Sequence, residues 1–309
     1  MKNFINLKDI SSKDLRNILN DAKKRKKNRK KLNTLDTDKD KPLDGKLIVQ
    51  MYEKQSSRTR LSFHLSIVQL GAGSVTIKAN ELHLGKGGET LADTAKILST
   101  YGDGFMLRTD CDKKIEDFSK NLTIPLINLL SPSSHPCQVL SDIFTVEEVK
   151  KKHISKLNIC WVGDCNNVLN SLIATSVKFK FNLNIACPKT YRPEKTVINW
   201  VKKKKRKIYF FDNPKKAVEN ADVIFSDKVV SLNDKGNKKK KIKDFKNYQV
   251  NSTLMKCAKK DAIFLHCLPR GNEVSENVFF GKQSRVWQQA LNRVHVQKSI
   301  LLYCFNKLR

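Results

Sequence analysis

Two doubly wound α/β domains, each built on a parallel sheet, are what the sequence predicts, and three observations predict them. Short, continuously apolar runs such as LIVQMY, NICWV and AIFL alternate with helix-period stretches. That is the pattern of strands covered on both faces by crossover helices. The alternation completes one unit near residue 150 and starts again at LNICWVGD (157–164). Polar and reactive residues stand just after the predicted strands, where doubly wound sheets bind ligands. A chain of 309 residues has room for two domains.

The elements follow in order. SSKDLRNILNDAKKRKKNRKKL (11–32) opens on a capping serine, spaces Leu15, Ile18 and Leu19 on one face and ends in a basic tail, so it reads as an amphipathic helix. Residues 33–44 are polar, contain Pro42 and read as a linker. KLIVQMYE (46–53) is a buried strand, SSRTRLSFHLSIVQLGA (56–72) a helix ending at Gly71, and SVTIKA (74–79) a strand. TLADTAKILSTYG (90–102) is a helix, and GFMLR (104–108) and IPLINLL (124–130) are strands. HPCQVLSDIFTVEEVKKK (135–152) is a helix with Pro136 in its first turn, where the missing N–H does no harm. In the second unit, a strand at 157–164 leads to a helix over about 167–179. Strands NLNIACP (182–188), KIYFFD (207–212), DVIFSD (222–227) and DAIFLHCLP (261–269) accompany helices TVINWVKKKK (196–205) and PKKAVENA (214–221). A long helix closes the chain over 284–305. The expected domains are 1–150, completed by the terminal helix 284–309, and 151–283.

Composition narrows the function. The net charge is +30, and lysine outnumbers arginine four to one. The lysines gather in blocks such as 23–31, 202–207 and 238–243, without interleaved aromatics for base stacking. No helix-turn-helix, zinc-finger or RNP signature accompanies them, so solvated lysine faces are favoured over a nucleic-acid role. The eight cysteines (111, 137, 160, 165, 187, 257, 267 and 304) have scattered spacings, as reduced thiols of a cytoplasmic protein do. No apolar run is long enough to span a bilayer, and the N-terminus has no secretory h-region. P-loop and GxGxxG patterns are absent, and the six histidines are not spaced as metal ligands.

The strand ends carry the chemistry, and both domains point them at a shared cleft in which the active site is expected. The first unit offers Ser56, Ser57, Arg58, Thr59, Arg108, His135 and Gln138. Hydroxyls and guanidiniums at a strand-to-helix joint suit a phosphate, because helix N–H groups and bidentate arginine both favour anions. The second unit offers Asn167, Asp227 and Cys267, which suit a zwitterionic or cationic ligand. Each residue alone has a plainer reading: a surface arginine, a helix-start histidine, a turn aspartate, a buried thiol.

Several motifs together resemble the aspartate and ornithine carbamoyltransferases. SSRTR (56–60) resembles the S-T-R-T-R carbamoyl-phosphate loop, and His135-Pro136-Cys137-Gln138 resembles H-P-x-Q. GDCNNV (163–168), FLHCLPRGNEV (264–274) and LNRVH (291–295) are similar to segments of the ornithine branch. The resemblance implies transfer of the carbamoyl group of carbamoyl phosphate to the δ-amine of L-ornithine, giving L-citrulline and phosphate in arginine metabolism, in the biosynthetic or the catabolic direction. By that resemblance Ser56, Ser57, Arg58 and Thr59 hold the phosphate. Arg108, His135, Gln138 and Arg293 complete the pocket, and His83 reaches a neighbouring subunit's site. Asn167, Asp227, Ser231 and Leu232 hold ornithine, with Cys267 and Leu268 at the reacting end. Arg108, His135, Asp227 and Cys267 are the expected catalytic group. No metal or organic cofactor is implied, and a homotrimer with shared sites is.

Three departures stand out. Asp227 to Asn233 reads DKVVSLN where the family has D-x-W-x-S-M-G, Cys165 replaces a glycine, and the loop before Glu273 is short. They leave two alternatives: a carbamoyltransferase for a related amine such as putrescine or N-acetylornithine, or a lysine-rich anion- or nucleic-acid-binding relative without activity.

Overall fold

The computed structural model describes residues 1–78, 88–230 and 236–308. The chain forms two compact units: Met1–Ser141 with Leu291–Arg309, and Asp142–Ala290.

In the first unit, α1 (Ser12–Asn28) starts where the Ser11 hydroxyl accepts the Asp14 N–H at 2.9 Å, and it buries Leu15, Ile18, Leu19 and Ala22. Then come β1 (Leu47–Tyr52), α2 (Ser57–Gln69), β2 (Gly73–Lys78), α3 (Leu91–Tyr101), β3 (Gly104–Arg108), α4 (Asp112–Asn121), β4 (Leu126–Leu130) and α5 (Pro136–Lys150). The strands are parallel, in the order β2-β1-β3-β4. The chain steps outward from β1 to β2 and then returns to the other side of β1. The order therefore reverses between β1 and β3, a switch point at which Tyr52 faces Arg108 in register.

Phe105, Leu107, Ile115, Phe118 and Leu126 pack into one buried cluster with Val49, Met51, Ala95 and Leu98. α4 escapes the sequence reading because its buried residues are only Ile115 and Phe118 among charged neighbours. The N-terminus also does more than the sequence suggests. Phe4 forms a parallel bridge with Ile127, its N–H donating to the Leu126 carbonyl at 2.9 Å, and so extends the sheet beyond β4.

A buried charge cluster ties the segment after α1 to the terminal helix. Arg25 reaches Asp21 (3.1 Å), Asp38 (2.9 Å) and Asp40 (3.0 Å), and Arg29 also reaches Asp38 (2.9 Å). Lys298, fully buried, donates to both Asp38 oxygens at 2.9 and 3.0 Å. These partners satisfy charges that would be costly to bury alone.

The second unit holds β5 (Asn158–Val162), α6 (Asn167–Phe179), β6 (Asn182–Ala186), α7 (Lys195–Lys203), β7 (Tyr209–Phe211), α8 (Pro214–Val218) and β8 (Val223–Ser226). The short helices α9 (Lys238–Asp244), α10 (Ser252–Lys256) and α11 (Glu276–Phe279) flank β9 (Ile263–His266), and α12 (Val286–Cys304) follows. The parallel order is β7-β6-β5-β8-β9, with its switch point between β5 and β8. The chain passes between the units inside α5 and inside α12. Two parallel-sheet α/β units are therefore present, as the sequence predicts.

Candidate functional site

Ser56 is the N-cap position of α2, yet its hydroxyl makes no capping bond. It accepts instead from the Arg108 guanidinium at 3.0 Å, which links the two strand ends at the switch point. The first-turn N–H groups of a helix have no intrahelical acceptor, so an uncapped α2 presents them to an anion. Ser57 and Arg58 are exposed beside them, and Thr59 is buried. Arg293, on α12 and buried, donates to the Gln138 amide oxygen at 2.5 Å and to the Thr59 hydroxyl at 2.8 Å. Its fork thus joins α12, α5 and α2 at one point.

The field of this cluster is strongly positive. Burial drives the His135 imidazole well below its ordinary pKa, and Arg293, Arg108 and Arg58 push it the same way. His135 is therefore a neutral imidazole at physiological pH. Tyr52, at the end of β1, is pushed up by burial, although Arg293, Arg108 and Arg60 draw it down. Arg293 and Arg108 act on both groups.

In the second unit the switch point is acidic. Asn166 caps α6, its side-chain oxygen accepting the Val168 and Leu169 N–H groups at 3.0 and 3.2 Å. Its amide donates to Asp227 Oδ2 at 2.7 Å, while Cys267 Sγ donates to Asp227 Oδ1 at 3.1 Å. The ends of β5, β8 and β9 thus meet on one carboxylate. Asn167, singled out in the sequence, is the first residue of α6, partly buried next to this junction.

The strand end carrying Cys267 is held from behind. Leu268 has φ +61°, an unfavourable value for a branched side chain. Its N–H donates to His266 Nδ1 at 3.0 Å, so Nε2 carries the proton and faces Glu273 Oε1 at 3.0 Å. The Gly271 N–H donates to the same oxygen at 2.6 Å. Burial pushes the Glu273 carboxyl up, but these donors outweigh it and hold the pKa below the ordinary value.

Asn166 and His266 lie within GDCNNV (163–168) and FLHCLPRGNEV (264–274), which the sequence singled out, but no role was read for them; none was read for Glu273 or Tyr52 either. The only signal for their roles was position, one or a few residues from a predicted strand end. His83, Ser231 and Leu232 lie outside the described residues. Cys165 is not among the residues with positive φ, so it occupies the family's glycine position without backbone strain. No group of three or more potential metal ligands occurs among the described residues.

Two doubly wound units, one with a cationic, uncapped helix start at its switch point and the other with a carboxylate at its own, define a two-domain α/β class equipped for an oxyanion and for an amine. Known proteins fit that description. Residues 2–148 match the aspartate/ornithine carbamoyltransferase carbamoyl-P binding domain, and residues 155–304 match the Asp/Orn binding domain of the same family. The ornithine carbamoyltransferase of Mesorhizobium japonicum is 40% identical over 306 residues, 98% of this chain and 98% of that protein. The solved ornithine carbamoyltransferase of Pyrococcus furiosus is similar with a TM-score of 0.91 and 37% identity, covering 100% of this chain and 98% of that one. The anabolic ornithine carbamoyltransferase of Campylobacter jejuni gives a TM-score of 0.89 at 32% identity, over 99% of this chain and 100% of that one. The chain belongs to the aspartate/ornithine carbamoyltransferase family.

Proposed function

We propose that the protein transfers the carbamoyl group of carbamoyl phosphate to the δ-amine of L-ornithine, giving L-citrulline and phosphate in the direction of arginine synthesis. The observation that carries the choice of amine is the Asp227 carboxylate at the second switch point, bonded by Asn166 and Cys267. An anionic group there attracts an ammonium-bearing ligand and repels the second carboxylate of aspartate.

Carbamoyl phosphate is already activated, so the enzyme needs orientation and charge stabilisation rather than a covalent nucleophile. The α2 N–H groups, Ser56, Ser57, Arg58 and Thr59 take the phosphate, with Gln138 and Arg293 closing the pocket. Arg108 and the neutral His135 imidazole donate to the carbonyl oxygen as it becomes an oxyanion. Asp227 and Cys267 hold the amine as its nitrogen forms the C–N bond. The C–O bond to phosphate breaks, and the amine proton leaves with the phosphate. His83, Ser231, Leu232, Asn167 and Leu268 complete the two substrate pockets in this reading.

We also infer a homotrimer with shared sites. In support, β2 is an edge strand of its sheet among the described residues, with Val75 46% exposed, and Leu61 on α2 is 63% exposed, apolar surface that a second copy would cover. A sedimentation mass of one chain would overturn that inference. We place the protein in the cytoplasm, where eight free thiols persist. No helix among the described residues is long and apolar enough to cross a membrane.

The test of the activity is citrulline formation, with putrescine, N-acetylornithine and aspartate assayed beside ornithine. Turnover confined to ornithine is expected. Preference for another amine, or carbamoyl-phosphate binding without any turnover, would overturn the reading.

A further inference from the structure

Two carboxylates stand at the switch point of the second unit, and they meet different partners. Asp164 comes two residues after β5, and Asp227 comes directly after β8, the strand paired with β5. Asp227 accepts from uncharged groups, the Asn166 amide at 2.7 Å and the Cys267 thiol at 3.1 Å. Asp164 meets a cation: the Lys241 ammonium donates to its Oδ2 at 2.8 Å. Both side chains are withdrawn from water, 11% exposed for Lys241 and 12% for Asp164. Lys238, Lys239, Lys240 and Lys243 of α9 are exposed, whereas Lys241 turns inward from the same short helix. The place of α9 does not hang on that pair. Phe245, at its C-terminal end, packs into the core of the unit, and the Tyr191 hydroxyl donates to Asp244 at 2.9 Å.

Stability alone is a poor reason for such a pair. Withdrawing two charges from water offsets most of their mutual attraction, so a buried ion pair contributes little to net stability. It does set the local field. Asp164 and Asn166 share one turn, and Asn166 holds Asp227, so both carboxylates act on whatever binds at this junction. Without Lys241 they would carry two negative charges; with it, the three groups together carry one. We propose that Lys241 is a specificity residue of the amine site: by neutralising Asp164 it admits an amine that also bears a carboxylate and denies a bare diamine its advantage. The proposal rests on the ornithine reading above and deepens it.

The chemistry of the two amines makes the difference sharp. Putrescine is ornithine with the α-carboxylate replaced by hydrogen, so the two share a chain and a reacting amine. Asp227 draws an amine to the junction, and ornithine brings its α-carboxylate with it, a short chain away. A lone Asp164 would repel that carboxylate and favour the doubly cationic putrescine. Lys241 cancels both effects. One charge acting over several ångströms near a protein surface, at an effective dielectric constant of about 20, changes an affinity by about tenfold or more. That is enough to decide between the two amines.

The experiment measures kcat/KM for L-ornithine and for putrescine at pH 8, far above the ordinary carboxylate range. The full-length parent protein is compared with Lys241→Met, Lys241→Arg and the double variant Lys241→Met/Asp164→Asn. Carbamoyl-phosphate affinity is determined for each, and calorimetry reads the binding of both amines with carbamoyl phosphate present. Lys241→Met should lower ornithine kcat/KM by about tenfold or more and raise the putrescine-to-ornithine ratio by at least as much. Lys241→Arg should keep the parent ratio. The double variant, with neither charge, should bring the ratio back toward the parent value. Carbamoyl-phosphate affinity should stay unchanged throughout. An unchanged ratio in Lys241→Met would overturn the proposal, and so would a shifted ratio that the double variant does not correct, since lost packing alone would give that result. A parent protein that binds ornithine without turning it over would overturn the activity instead, and the binding ratio then decides the role of Lys241. Binding of neither amine would overturn both.

Discussion

At the level of single residues, the division of labour follows from exposure and charge. Arg58 is exposed, so removing its side chain leaves the core alone. Arg58→Ala is expected to reduce turnover by roughly 10²–10³-fold, the range for losing one charge-stabilising donor, while the thermal midpoint stays put. Normal activity in that variant would contradict the phosphate role. Asp227→Asn keeps the shape of the side chain and removes the charge. Ornithine KM should rise by roughly 10- to 100-fold, in line with a charged hydrogen bond of about 1.5–3 kcal/mol, with carbamoyl-phosphate binding intact. An unchanged ornithine KM would mean the amine binds elsewhere. These residues were legible in the sequence because side-chain chemistry and strand-end position coincide in them. The role of Asn166 was not, although its segment was, since its contact with Asp227 spans 61 positions and nothing local reports it.

Among the elements, β9 shows how a site is held by groups that need not touch substrate. The His266 ring fixes the Leu268 backbone, and Glu273 fixes the His266 tautomer. Glu273→Ala strands the buried His266 Nε2–H and the partly buried Gly271 N–H. The loss should be about 1–3 kcal/mol of stability, together with a fall in kcat as Cys267 loosens. Glu273→Gln retains an acceptor and should recover most of both; equal defects in the two variants would argue for mere packing. The strands themselves were easy to read, because IVQM, ICWV and VIFS are buried on both faces and so mostly apolar. α4 and α9 to α11 were harder. They are short or charge-rich, with too few buried positions for a helical period to emerge. Sheet order was beyond the sequence altogether, since which side of β1 receives β3 is decided by long-range pairing.

For the molecule as a whole, the charge is unevenly used. The lysine excess is largely solvated, while Arg25 near the end of α1 and Arg29 just after it meet carboxylates inside the first unit. Asp38 stands against Arg25, Arg29 and Lys298. Asp38→Asn would leave three buried cations short of their partner and should cost about 3–5 kcal/mol, measured by denaturant unfolding; a loss under 1 kcal/mol, roughly a surface pair's worth, would show that the cluster rearranges freely. Both pKa shifts here make stability rise with pH. Burial raises the Asp38 pKa, but Lys298, Arg29 and Arg25 outweigh it and hold the group below 3.8, so its contribution is present above that pH and lost as acid protonates the folded state. Burial lowers Lys298 from 10.5 to about 8 despite Asp38. The unfolded chain therefore binds more protons between those values, and stability gains between pH 8 and 10.5. Lys298→Met should flatten that alkaline gain relative to the parent protein. The seclusion of Lys298 also makes it a natural timer. An amine-acylating reagent will label the solvated lysines within minutes but reach Lys298 only when the first unit opens, so the mass of its peptide against time would read the opening rate of that unit directly.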